Sequence, residues 1–428
     1  MKYKILITAT AIAIAVSIDS TAQNRMTVDQ YRQMVADYSL QLKMSRERTS
    51  ASIDKMKATK TGYYPSLAFA ANASHTLGND IAFGEMHLKE YNYSGNLTLQ
   101  ENIYAGGAVR NQTRAAVIEA DIAKIGEKDA LQNVLYSADL TYLGAVAAYE
   151  QLKVMDQFVD IVDNLSKVVD NRFKDGYVSK TDLLMVQTRL NEAKISQITA
   201  RKLYQNNLQK LNTQLGVDPS TAYDLDTLSL PADVLEASME EVLTKRADFL
   251  SASRQVDLAA ANVRVARSKF NPQIVAGIQG VFGTPQLNFT GDPKGYGAAY
   301  LQVQVPILMW GERHFTISAV KAAERSAMLS REQMRDNIRG QVAAARIDMT
   351  QTYEQAHIAT LNVQVASDNL ELNTFSYSEG KLPILDVLQS QISWIQSYTN
   401  MVNSTYNYMV SVIDYRKAIG ENADGIAN

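Results

Sequence analysis

Apolar and polar positions follow two rhythms along this chain, and the switch between them occurs twice. Over residues 112–172 and 313–375 apolar side chains return three and four apart, as in Leu131, Leu135, Ala138, Tyr142 and Ala145. Both stretches are rich in Ala, Leu, Gln, Arg and Glu and lack proline, so each predicts one long amphipathic helix. At ~1.5 Å per residue such a helix is a rod about 100 Å long. Helices in globular domains average about three or four turns, so rods of this length imply coiled-coil packing.

Ahead of each rod the period falls to two. Tyr91, Tyr93, Gly95, Leu97 and Leu99 alternate with Asn92, Ser94, Asn96, Thr98 and Gln100. Leu67, Phe69, Ala71 and Ala73 alternate with Ala70, Asn72 and Ser74 within 66–76. Later, Leu301, Val303 and Val305 alternate with Tyr300, Gln302 and Gln304, while 273–282 alternates more weakly. Each run is ~10–12 residues, close to the ~9–11 of a tilted transmembrane strand, with Tyr and Phe near the ends like an interfacial girdle. Two half-buried hairpins of a soluble sandwich would read the same way. Four strands cannot close a barrel, because the smallest membrane barrels have ~8. An open sheet in lipid would leave backbone groups unpaired. A membrane role therefore requires several copies of the chain.

The recurrence is a tandem duplication. Gly107 and Gly311 are 204 residues apart, as are Gly176 and Gly380, Asp182 and Asp386, Gln187 and Gln391, and Gly216 and Gly420. Tyr64-Pro65 and Asn271-Pro272 are offset by 207, a difference that falls among the strands, where a loop absorbs it. Gly176 and Gly380 are placed to stop the rods. A return helix then starts in each copy, with Ser179 as N-cap three residues before Asp182 and with Pro383 in the first turn. The return helices span about 180–215 and 384–419, and preceding helices span about 27–61 and 239–269. One full-length helix against two half-length helices stacked end to end is the expected geometry of each repeat.

At the N-terminus, Lys2 and Lys4 precede an apolar stretch over 5–18, and Ser20 and Ala22 offer small residues before a cut at Gln23. The stretch falls short of the ~20 residues of a spanning helix, so 1–22 is read as a secretory signal peptide. No later apolar run is long enough for a transmembrane helix. The organisation is therefore a first repeat over 23–216, an equatorial linker over 217–238, a second repeat over 239–420 and a tail over 421–428.

Composition removes other functions. The net charge of −3, without long like-charge runs, speaks against nucleic-acid binding. There is no cysteine, hence no disulfide, no cysteine nucleophile and no lipidated N-terminal Cys. The four histidines (His75, His87, His314 and His357) are widely separated, and the 15 methionines fall at helical spacing as packing residues. No GxSxG, Walker or GxGxxG pattern occurs. Neither an enzyme nor a cofactor is expected.

Together these features resemble the TolC-like outer-membrane efflux family over essentially the whole mature chain. The resemblance rests on the duplication, on the junctions Ile103-Tyr-Ala-Gly-Gly107 and Pro306-Ile-Leu-Met-Trp-Gly311, and on the tips Gly176…Asp182-Leu-Leu and Gly380…Asp386-Val-Leu. It implies a mainly α protein with a β-barrel part. Three protomers would form a twelve-stranded barrel in outer-membrane lipid, continuing into a periplasmic α-helical coiled-coil barrel. The duct would be passive and gated, serving a tripartite efflux or type I secretion system with a periplasmic adaptor and an inner-membrane transporter. The alternative is a periplasmic coiled-coil structural or adaptor protein without a channel.

The resemblance also implies a periplasmic gate at Thr181, Asp182, Tyr377 and Asp386. Tyr377 and Asp182 match a polar pair that links neighbouring hairpins, and Asp386 matches an acidic ring at the narrowest point. Leu382 stands where the family has an arginine, so one link is missing, and Gln389 replaces a second ring acid. Without the resemblance, Asp182 reads as a helix N-terminal charge. The exposed tips, Gly176, Tyr177, Val178, Ser179, Gly380, Lys381, Leu382 and Pro383, would contact the adaptor; read alone, they are turn residues.

Overall fold

The computed structural model describes residues 25–75, 77, 82–83, 86–87, 91–228, 237–283 and 293–421. The signal segment, Leu230-Pro231 of the linker and the tail beyond 421 lie outside the described residues.

The two rods are α3 (Ala108–Lys174) and α7 (Glu312–Ser378), each of 67 residues. The return helices α4 (Lys180–Leu215) and α8 (Ile384–Ile419) have 36 residues each. All four end alike. At the tips, Tyr177 N–H donates to the Arg172 carbonyl (2.8 Å) and Lys381 N–H to that of Ser376 (2.9 Å). At the far ends, Val217 N–H reaches the Asn212 carbonyl (3.2 Å) and Glu421 N–H that of Arg416 (2.9 Å). The residue between is Gly176, Gly380, Gly216 or Gly420, with φ from +67° to +82°, a conformation that disfavours a Cβ.

The preceding helices are each broken where a continuous one was expected. Helices α1 (Val28–Tyr38) and α2 (Leu40–Lys60) part at Ser39, and α5 (Met239–Lys245) and α6 (Ala247–Ser268) part at Arg246. Both linking residues leave the helical region, with ψ of 114°. Ser39 becomes the N-cap of α2, accepting from Leu42 N–H. Arg246 turns to donate to the Lys417 and Ala418 carbonyls at the end of α8. The breaks lie 207 residues apart, so they belong to the repeat, and helical periodicity alone does not register them.

The strands β1 (Ser66–His75), β2 (Tyr91–Tyr104), β3 (Gln273–Gly283) and β4 (Lys294–Gln304) form one antiparallel sheet in chain order. Register brings the alternating sets together. Leu67 faces Leu99, Phe69 faces Leu97, Leu99 faces Ile278, Gly95 faces Phe282 and Ala276 faces Leu301. One face is therefore apolar across all four strands except at Glu101, opposite Ala276, while Asn96, Thr98, Gln100, Gln279 and Gln302 share the other. The β3 alternation is weak because Gly277 and Gly280 occupy it. Gly277 admits the Tyr300 ring, which a Cβ there would meet at 2.5 Å.

Below the sheet, the helices lie side by side in the order α2, α3, α6, α7, and further down in the order α4, α3, α8, α7. Thus α3 is internal and α7 forms one margin of the protomer. The core is strung along this seam. Near the linker it gathers Tyr31, Val35, Ala138, Tyr142 and Leu211, and lower down Phe158, Val162, Ala193, Leu370 and Trp394. In the linker, Asp224-Leu225 pairs in parallel with Arg25-Met26, and the Tyr142 hydroxyl donates to the Met26 carbonyl at 2.6 Å.

Candidate functional site: the paired hairpin tips

The two rods and their return helices meet in two hairpin tips, α3–α4 and α7–α8, that share one apolar cluster. Leu165, Val169, Leu183 and Val186 of the first hairpin meet Tyr377, Ile384 and Val387 of the second. Each of these residues lies on the inward stripe of its helix, so amphipathic periodicity places it.

Asp182 sits in the first turn of α4. Its carboxylate accepts from Ser179 N–H at 3.1 Å, and Ser179 Oγ accepts from Asp182 N–H at 3.1 Å, a reciprocal capping box. Within one protomer the carboxylate is thus used in starting its own helix. Tyr377 is 4% exposed, and no hydrogen bond reaches its phenol oxygen. Burial raises its pKa, Asp182 adds to the rise and Arg172 opposes it, so the phenol stays neutral at physiological pH. Asp182 of the first tip and Tyr377 of the second therefore do not bond to one another within the protomer. Thr181 and Asp386 are exposed.

The turn residues divide. Gly176, Tyr177, Ser179, Gly380, Lys381 and Pro383 are exposed, with Tyr177 at 80%. Val178 and Leu382 are half-buried instead, and Val178 packs against the shared cluster. Val178 is less available to a partner than its turn position suggests, because an apolar side chain beside an apolar cluster folds onto it.

Sequence reasoning missed Arg172. It lies in the last turn of α3 and crosses to the other hairpin, where Nη1 donates to the Tyr377 carbonyl (3.0 Å) and Nη2 to the Ser378 carbonyl. Its guanidinium carbon lies 5.0 Å from the centroid of the Tyr377 ring. A basic residue in a last turn suits the helix dipole, and that ordinary reading hid its reach across 205 residues of chain.

Comparison with known proteins agrees with this architecture. The family model for outer membrane efflux proteins matches residues 31–217 and 239–421, the two repeats. The outer membrane protein TolC of Escherichia coli (strain K12) is 21% identical over 426 residues, covering 94% of this chain and 83% of that protein. The alkaline protease secretion protein AprF of Pseudomonas aeruginosa is 22% identical over 335 residues, covering 74% and 68%. Among solved structures, the outer membrane protein VceC of Vibrio cholerae superposes with a TM-score of 0.75 at 17% identity, covering 92% of this chain and 96% of that one. The chain belongs to the outer membrane efflux protein family, whose members are outer-membrane channels with a long periplasmic helical part.

Proposed function

We propose that three copies of this chain assemble into one passive, gated duct that receives substrate from an inner-membrane transporter through a periplasmic adaptor. The observation that carries this reading is the sheet. Its apolar face, with Leu67, Phe69, Leu97, Leu99, Ile278, Phe282 and Leu301, has no described element packed over it, and among the described residues no strand pairs with the outer edge of β1 or β4. An even number of antiparallel strands leaves β1 and β4 running in opposite senses, so β4 of one copy can pair antiparallel with β1 of the next. Three copies close a barrel of twelve strands, remove every edge and turn the apolar face to lipid. The same association covers α7, whose margin exposes Leu329, Ile347, Leu361, Val365 and Leu372.

In that assembly the hairpin tips form the periplasmic end. Thr181, Asp182, Tyr377 and Asp386 are the gate residues of this reading, with Asp386 from three copies contributing one acidic ring. The exposed tip residues Tyr177, Ser179, Lys381 and Pro383 are the adaptor contacts. Mass measurement of the detergent-purified protein by light scattering tests the assembly: three chains per particle are expected, and a particle of one chain would sink it.

A further inference from the structure

We infer that Arg172 is the latch that ties the two hairpin tips of each protomer together and must release before the duct opens; this rests on the gated-duct reading. The tie has three parts, all from one guanidinium: two hydrogen bonds to the last carbonyls of α7, at Tyr377 and Ser378, and a position 5.0 Å from the centre of the Tyr377 ring. The Ser378 carbonyl is past the reach of the capping turn, whose N–H groups of Glu379, Gly380 and Lys381 go to Phe375, Tyr377 and Ser376. Arg172 satisfies it from the other hairpin.

The latch works in one direction. The repeat counterpart of Arg172 is Ser376, whose short side chain cannot span to α3, so the first hairpin holds the second without reciprocation. Leu382, half-buried, brings no charged group to the tie, and Asp182 is engaged by Ser179. The same chemistry recurs at the far end of the second hairpin, where Arg246 donates to the Lys417 and Ala418 carbonyls that end α8. The second hairpin is thus held at both ends by an arginine from outside it. Swinging it away from the first would part Tyr377 from the shared cluster and break both guanidinium bonds.

Arginine is required for its planar fork, which reaches two adjacent carbonyls at once; lysine offers a single ammonium on a flexible stem. Single-channel recording in planar bilayers tests the latch, using wild type, R172A, R172K and N171A, an exposed neighbour in the same turn, together with the melting temperature of each oligomer. Loss of hydrogen bonds to a charged donor predicts an open-to-closed ratio raised about tenfold or more in R172A, with a smaller rise in R172K. N171A should match wild type, and oligomer melting should stay unchanged. If R172A does not assemble, R172K decides the matter. Wild-type conductance in the assembling Arg172 variants would overturn the latch while leaving the duct intact. Absence of any channel in the wild type would overturn the duct reading itself.

Discussion

At the scale of single residues, the sharpest demands are charged and buried. Asp139 of α3 is 2% exposed and receives Arg32 in two-point fashion, Nε at 2.6 Å and Nη2 at 2.8 Å. Removing one member of such a pair leaves an uncompensated buried charge, at a cost of about 3–5 kcal/mol. R32A should therefore lower the melting temperature of the oligomer substantially, and the double variant R32M/D139L should recover much of the loss; calorimetry in detergent would show it. Asp129 is an opposite case. Burial first, and then the neighbouring Asp248, raise its folded pKa above the unfolded value. A carboxylate with a raised folded pKa costs stability above that pKa, and the cost vanishes as pH falls through it. D129N should hence stabilise at neutral pH and lose that advantage in acid, as pH-dependent melting would reveal.

At the scale of elements, local chemistry explains the helix ends but ranks them unequally. A Cβ at Gly176 or Gly380 would meet nothing within 4 Å, so alanine there costs only the left-handed backbone, about 1–2 kcal/mol. At Gly216 the same Cβ would lie 2.1 Å from the Tyr38 ring, so G216A adds a collision at the end of α1. Thermal melting should order the variants with G216A lowest and G176A close to G380A; the reverse order would show that the linker end yields more readily than its packing suggests. Trp310 presents the same backbone problem without glycine. It holds φ of +44° at the position 204 residues after Gly106, and it is 88% exposed. Nothing among the described residues of one protomer accounts for an indole in that conformation.

At the scale of the whole molecule, the two faces of the sheet separate two kinds of substitution. Leu99 is on the apolar face of a central strand, and an arginine there would sit in hydrocarbon at about 2–4 kcal/mol near the midplane. L99R should reduce the amount of trimer recovered from outer membranes. Gln279 lies on the polar face, where Q279R should preserve assembly and shift the ion selectivity read in bilayers. Equal loss of assembly in both variants would mean that the polar face does not line water.

The sequence by itself determined what depends on neighbours in the chain. Periodicity placed the rods, strands and return helices within a few residues, because amphipathic spacing and a terminal glycine act over one or two turns. It also carried the duplication, and family resemblance singled out Asp182, Tyr377 and Asp386 as the gate residues proposed above. Only the tertiary structure decided what lies beside what. That β2 pairs with β3, that α3 lies between its neighbours while α7 forms a margin, and that Val178 folds inward are outcomes of packing between segments far apart in the chain. The crossing of Arg172 belongs with these. Its partners are backbone carbonyls, which every residue carries, so no side chain in the sequence marks where the guanidinium goes.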